Sequence, residues 1–305
     1  NKQEKVKLKP IKNDNIAFKA LFKNIPEDFL PSNITNNYLY FRDMIKKEIL
    51  SLSEIFSAIT KLDVVEIRLK SSEDDPQLIF ESLNSTGLDL SEADKVRNFV
   101  LMRLGAQKQE EYYEKYWNKI EILTKYNVSN FLRDYITFKD RKAPNKSKAY
   151  FAFKEYILSS SDFNIEAILQ DLLKFAKYYN SIIESSHTKP EIRNVLGYLN
   201  KLDMTVAYPF LLELFDDYNN NLLNDHNLEE ILSIIESFIV RRVVCDVPTN
   251  ALNKLFMTLG RDIKKFEDYD DKYVEIFKYI LSQKRASQRF PNDEEVREKM
   301  ILKDI

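Results

Sequence analysis

The sequence predicts a mainly α, multi-helical protein with a small α+β portion near its N-terminus. Only four glycines and nine prolines occur in 305 residues, and so few backbone breakers favour helices over a strand-and-turn architecture. From about residue 76 onward, apolar residues recur at three- and four-residue spacing almost without interruption. Ahead of that point, residues 6–10 alternate apolar and polar, and residues 63–69 are rich in β-branched side chains. Both runs read as short strands. The chain thus divides into two portions: 1–125, small and α+β, and 126–305, all-helical.

Along the chain, a helix is expected over 13–22, then a loop over 25–35 broken by Pro26 and Pro31. Helices over 37–50 and 53–60 precede the strand at 63–69, which ends in the polar stretch 70–75. Asp75-Pro76 is a strong helix start, because Asp caps and Pro tolerates the first helical position. That helix, 76–84, is short, with Gly87 available as a left-handed stop. Ser91-Glu92-Ala93-Asp94 opens the next helix, 92–105, in a capping-box-like manner. Further helices are expected over 110–126, 129–140, 147–159, 165–185, 190–201, 205–219, 228–245, 249–259, 272–285 and 293–302. No fixed-period repeat accompanies them, which argues against a solenoid.

Composition narrows the function. Apolar residues make up 44% of the chain, enough for a packed core. The formal charge is −2 and charge runs are short and mixed, so bulk electrostatics leave no footprint of a constitutive DNA binder. Cys245 is the single cysteine, which excludes an internal disulfide and fits a reducing cytosol. After Val243-Val244 it reads as a small buried hydrophobe. No apolar run reaches 18 residues, so no membrane span is expected, and no signal peptide is visible. A cytoplasmic location is the expectation. The chain begins with Asn, which suggests a piece of a longer protein.

Several chemistries lack their residues. None of Gly87, Gly105, Gly197 and Gly260 stands in a P-loop context. The two histidines, His187 and His226, stand in polar surroundings and read as solvated. A zinc protease site, a Ser-His-Asp triad or a His-Asn-His nuclease site would need histidines beside specific partners.

The segment Phe80-Glu81-Ser82-Leu83-Asn84-Ser85-Thr86-Gly87 is the most informative. Glu81 and Asn84 share a helix face, while Ile79, Phe80 and Leu83 cover the adjacent one. Two helix ends then meet around Asn84-Ser85-Thr86-Gly87. One offers a carboxylate and an amide; the other offers N–H groups and the positive end of a helix dipole, which suit an anion. Together they can hold a phosphate-bearing ligand, with Glu81 as a metal ligand. A plain helix-loop-helix corner, in which Glu81 and Asn84 only cap and solvate, is the competing reading.

Three arginines fall in or beside apolar stripes. On the helix over 228–245, Ile231, Ile234, Ile235, Phe238 and Ile239 define a stripe at about 100° per residue. Arg242 projects into its middle and Arg241 stands at its edge. On the helix after Ser91, Arg97 falls within the stripe of Ala93, Val96, Val100, Leu101 and Leu104. A charge buried alone costs several kcal/mol, so each arginine must meet a carboxylate, a set of carbonyls or a bound anion. A helix-tying ion pair, a phosphate clamp facing Glu81 and Asn84, and snorkelling at a helix end all satisfy that requirement.

Phe80, Glu81, Leu83, Asn84, Ser85, Thr86 and Gly87, with Leu90, Ala93, Asp94, Arg97 and Asn98, resemble the core motif of the regulatory domain of GmrSD-type DNA restriction systems. Phe131-Leu132-Arg133-Asp134-Tyr135, Arg241 to Cys245 and Pro248 to Lys254 are also similar to that family. The resemblance runs over about 65–259, and more loosely over the whole chain. It implies the C-terminal helical part of that domain. The family's other half carries an Asp-Gly-Gln-Gln-Arg motif linked to nucleotide binding and hydrolysis, and its nuclease part carries a His-Asn-His site; this sequence has neither. The resemblance therefore implies a nucleoside triphosphate and Mg2+ as ligands, a separate nuclease domain or subunit as partner, and DNA contact through the full assembly.

On this reading Glu81 is the catalytic or metal-binding candidate, and Asn84, Ser85, Thr86, Arg97, Asn98, Arg241 and Arg242 are nucleotide- or phosphate-binding. The chain would form one wall of the cleft and be inactive alone. Two other readings stay open: a helical interaction scaffold without ligand, and a DNA-contacting helical module using the basic stretch Lys139, Arg141, Lys142, Lys146 and Lys148.

Overall fold

A computed structural model describes residues 10, 12–22, 32–63, 79, 90–102, 104–159 and 164–303. The chain divides into two compact units, residues 1–70 and 71–305, so the boundary expected at 125/126 falls inside the second unit. The described secondary structure is helical, with no strand among the described residues. The α+β portion is therefore not supported. The expected strands at 6–10 and 63–69 lie outside the described residues except for Pro10 and Asp63, neither of which is in a strand.

In the first unit, α1 (Lys12–Ala20) packs against α2 (Asn33–Lys46). The hydroxyl of Ser32 caps α2 by accepting from the Thr35 N–H. A full capping box, Ser51 with Glu54, starts α3 (Leu52–Ile59).

In the second unit, α4 (Glu92–Leu101) starts where the Ser91 hydroxyl accepts from the Asp94 N–H at 3.1 Å, in keeping with the sequence. The single helix expected over 110–126 is a composite: α5 (Ala106–Tyr112), a π-helical segment (Tyr113–Trp117) and α6 (Asn118–Leu123). It ends in two consecutive left-handed residues, Lys125 (φ 52°) and Tyr126 (φ 60°). Then come α7 (Val128–Asp140), α8 (Ala149–Ser159) and α9 (Ile165–Ile183). Beyond them lie α10 (Pro190–Lys201), α11 (Tyr208–Asn219) and α12 (Asp225–Val244). The chain finishes with α13 (Leu252–Ile263), α14 (Tyr273–Ser282) and α15 (Asp293–Leu302).

The core sits around α9 and α11. Helix α9 meets α6 and α11, while α11 also meets α7 and α13. An unbroken run of α11, Pro209 through Phe215, is buried, as expected of a helix that is apolar on nearly every side. Aromatic rings fill the space between layers. Phe210 stacks on Phe277 at 5.9 Å, and Tyr135 meets Phe175 edge-on at 5.5 Å. Such pairs add to plain area burial.

A helix buried on nearly every side must settle its buried charges, and α11 carries two, Glu213 and Asp217. Glu213 is 1% exposed. It accepts two parallel bonds from Arg141, at 2.6 and 2.7 Å, and a third from Lys264 at 3.1 Å. Asp217 accepts from Lys264 at 2.7 Å and from the Tyr273 hydroxyl at 2.8 Å. Gly260 makes the room: a Cβ there would lie 2.0 Å from a Glu213 carboxylate oxygen. This five-residue network ties α11, α13, α14 and the end of α7 together.

Candidate functional site

Glu81, Asn84, Ser85 and Thr86 lie outside the described residues, as does the expected helix over 76–84 apart from Ile79. Immediately after the signature in sequence, several polar groups of α4 are paired within the protein. In the first turn of α4, the Ala93 N–H donates to the Ser129 hydroxyl at 3.2 Å and the Asp94 N–H to Ser91. Glu92 is buried, and its carboxylate accepts from the Tyr150 N–H at 2.6 Å and from Lys95 at 3.0 Å. Two N–H groups expected to face an anion thus have protein acceptors, and two carboxylates occupy the same turn. Asn98, in the same helix, is half-buried.

The arginines of the apolar stripes meet protein partners. Arg97 pairs with Asp94 at 2.8 Å and with Glu121 at 3.4 Å. The Glu121 carboxylate also accepts from Trp117 Nε1 at 2.8 Å and from the Tyr113 hydroxyl at 3.1 Å. Both aromatic donors come from the π-helical segment, which brings them to one carboxylate. Burial and the adjacent Glu121 push the Tyr113 hydroxyl up to about 12.

Arg242 is 2% exposed. It donates to the carbonyls of Pro248, Ser287 and Arg289 at 2.6, 2.8 and 3.1 Å, closing the C-terminal end of α12 against the segment before α15. That is the set-of-carbonyls solution. Arg241 pairs with Asp293 at 2.6 Å and lines a groove of about 800 Å³ together with Arg285, Arg289 and Phe290.

Part of the dense basic stretch is spent as well. Arg141 is committed to Glu213, Lys139 pairs with Asp171 at 2.9 Å, and Lys142 with Asp140 at 3.3 Å. Cys245 is buried, as expected. His187 is half-buried against Tyr218, and its Nδ1 accepts from the Lys189 N–H.

One carboxylate has no such settlement. Asp134, on α7, is 8% exposed and takes no hydrogen bond or ion pair from any described residue. Burial pushes its carboxyl up to about 8, with Arg133 opposing. It sits between two cavities, a recess of about 380 Å³ and a small one of about 40 Å³. Tyr179 and Tyr208 wall the larger recess, and Arg133, Lys146 and Lys125 stand around it. The Tyr179 hydroxyl likewise has no partner among the described residues.

Sequence reasoning missed Asp134 as a site residue, although the signal was available. Asp134 lies in the stripe of Phe131, Tyr135 and Phe138, as Arg242 lies in its own. Glu213, in the middle of the otherwise apolar Pro209–Phe215 run, carried the same signal. Among the described residues no group of three or more His, Cys, Asp or Glu side chains is placed to hold a metal ion. No helix of the described residues is long and apolar enough to cross a membrane.

Residues 1–101 match the family described as GmrSD restriction endonuclease, N-terminal domain. The matched stretch contains the whole run from Phe80 to Asn98 and stops at the end of α4; the later segments singled out in the sequence lie beyond it. Comparison with curated proteins and with solved structures finds no match.

Proposed function

From the premise that residues 1–101 are of the GmrSD restriction type, we propose that the chain is part of a nucleotide-sensing regulatory domain in a bacterial DNA restriction protein active in phage defence. Phe80–Gly87 contributes one wall of a cleft for a nucleoside triphosphate and Mg2+. Glu81 is the metal or water ligand, and Asn84, Ser85, Thr86 and Asn98 are polar contacts. Arg97 is a half-buried cation ten residues after Gly87 in sequence. The division of labour in phosphoryl chemistry, a metal carboxylate plus a cationic clamp, supports assigning these roles together. Arg241 and Arg242, the other candidates for that clamp, spend their donors on Asp293 and backbone carbonyls, which supports a structural role for both. A nuclease domain or subunit supplies DNA cleavage, and the assembly works in the cytoplasm.

The observation that carries the reading is the family match, which encloses the signature. A ligand that binds only the folded state raises the melting temperature. The test is therefore a thermal-shift series with nucleoside triphosphates and Mg2+ on the full-length protein. A nucleotide- and magnesium-dependent rise that disappears in Glu81→Ala is expected. The absence of a rise with any nucleotide overturns the proposal. Against the DNA-contacting alternative, Lys139 and Arg141 are engaged in intramolecular pairs, while Lys142, Lys146 and Lys148 stay exposed.

A further inference from the structure

The Asp134 recess is a built site. Its floor is a carboxyl more than nine-tenths buried, open to a cavity of about 380 Å³ and without a partner among the described residues. Small-ligand pockets begin at about 300 Å³. Its walls include two tyrosine rings, Tyr179 and Tyr208, packed edge to face at 5.6 Å.

Cationic groups stand around it. Arg133 spends only Nε, which donates to the Pro144 carbonyl at 2.9 Å; its two terminal nitrogens take no described partner. Lys146 has none either. Lys125, paired with Glu184, also lines the recess.

Each feature selects a part of a ligand. Two carboxylate oxygens match two adjacent N–H donors, and a buried carboxylate is strongly stabilised by receiving them. Aromatic walls suit a π face. Guanidinium and ammonium groups suit a phosphate. Among the common nucleobases, guanine presents two N–H donors side by side on one edge.

We infer that the recess between α7, α9 and α11 binds a guanine mononucleotide, with the base edge on Asp134 and the phosphate on Arg133 and Lys146. This site uses neither Glu81 nor a metal. The two readings therefore stand or fall independently.

The test is calorimetric titration of the whole protein with GMP in the presence of EDTA, which removes any contribution from a magnesium site. Single-site binding is expected, at least tenfold tighter than for AMP or UMP. Guanosine should bind at least tenfold more weakly than GMP, and Lys146→Gln should narrow that gap. Asp134→Asn should lose at least tenfold in GMP affinity while its circular dichroism and melting remain those of a folded protein. Glu81→Ala should bind GMP as the parent does.

Absence of GMP binding overturns the inference. So does equal affinity for AMP, for inorganic phosphate alone, or for GMP in Asp134→Asn. A GMP site abolished by Glu81→Ala also overturns it, by returning the ligand to the signature.

Discussion

Asp134 makes a prediction about stability that needs no ligand. Its carboxyl titrates near 8 in the folded protein, against an ordinary aspartate value of 3.8, because burial penalises the charged form. The folded value lies above the unfolded one. Between the two, the unfolded chain has released this proton and the folded protein still holds it. Stability from this group is therefore fully present below about pH 4 and is lost as pH rises toward 8.

The window spans about four pH decades, and each decade costs about 1.4 kcal/mol, so the total is on the order of 5 kcal/mol. Asn is close to the protonated acid in shape and never ionises. Asp134→Asn should therefore match the parent near pH 4 and exceed it by several kcal/mol at pH 8. The groups around the carboxyl are Arg133 on α7, Tyr179 on α9, Tyr208 on α11, and Lys125 and Lys146 from the adjoining loops. Both tyrosine hydroxyls are held above their usual range by burial and then by Asp134, so neither titrates in this window. Urea unfolding of both proteins from pH 4 to 8 measures the difference. Parallel curves across that range would refute the reasoning, since they would mean that the buried carboxyl is charged at no cost.

The same geometry yields three further outcomes. Gly260→Ala drives a methyl into the Glu213 carboxylate and should destabilise by about 3–5 kcal/mol, as breaking a buried ion pair does; chemical denaturation reads this directly. Arg242→Met removes the donors to three carbonyls and should cost about 2–5 kcal/mol, with Arg242→Lys recovering little because a single ammonium cannot span the three acceptors. Lower melting temperatures for both are expected by calorimetry. Glu121→Gln should weaken the junction of Arg97 with the π-helical segment. Hydrogen exchange there should rise, while α13 and α14 stay protected.

The helical character was legible because local rules decided it. The helix expected over 293–302 is α15, and the Asn292 side chain caps it by accepting from the Glu295 N–H at 2.8 Å. Ser91 and Pro190 mark helix starts as well. The break in the helix expected over 110–126 was not legible. The π-helical turn brings Tyr113 and Trp117 to Glu121, and Glu121 to Arg97, 24 residues away in sequence. No local propensity encodes that need. The unit boundary at 70/71 was equally hidden, since the packing of α4 against α7 and α8 is a tertiary choice.

For the charges, the sequence reading singled out Arg242 as costly, passed over Glu213 and Asp134, and did not reveal how any of them would be settled. Arg242, Glu213 and Asp134 all stand in apolar stripes, and the same desolvation argument applies to each. Arg242 is met by carbonyls presented by the segments after α12 and α14. Glu213 is met by Arg141 and Lys264, 72 and 51 residues away, at the expense of a side chain at Gly260. Asp134 is met by nothing among the described residues and opens onto a cavity. A fold that commits two cations and a glycine to neutralising one buried carboxylate evidently has the means to neutralise another. The carboxyl left unpaired beside an aromatic wall and unspent cations is the one a ligand can complete. Mutations there should accordingly move stability and binding in opposite directions.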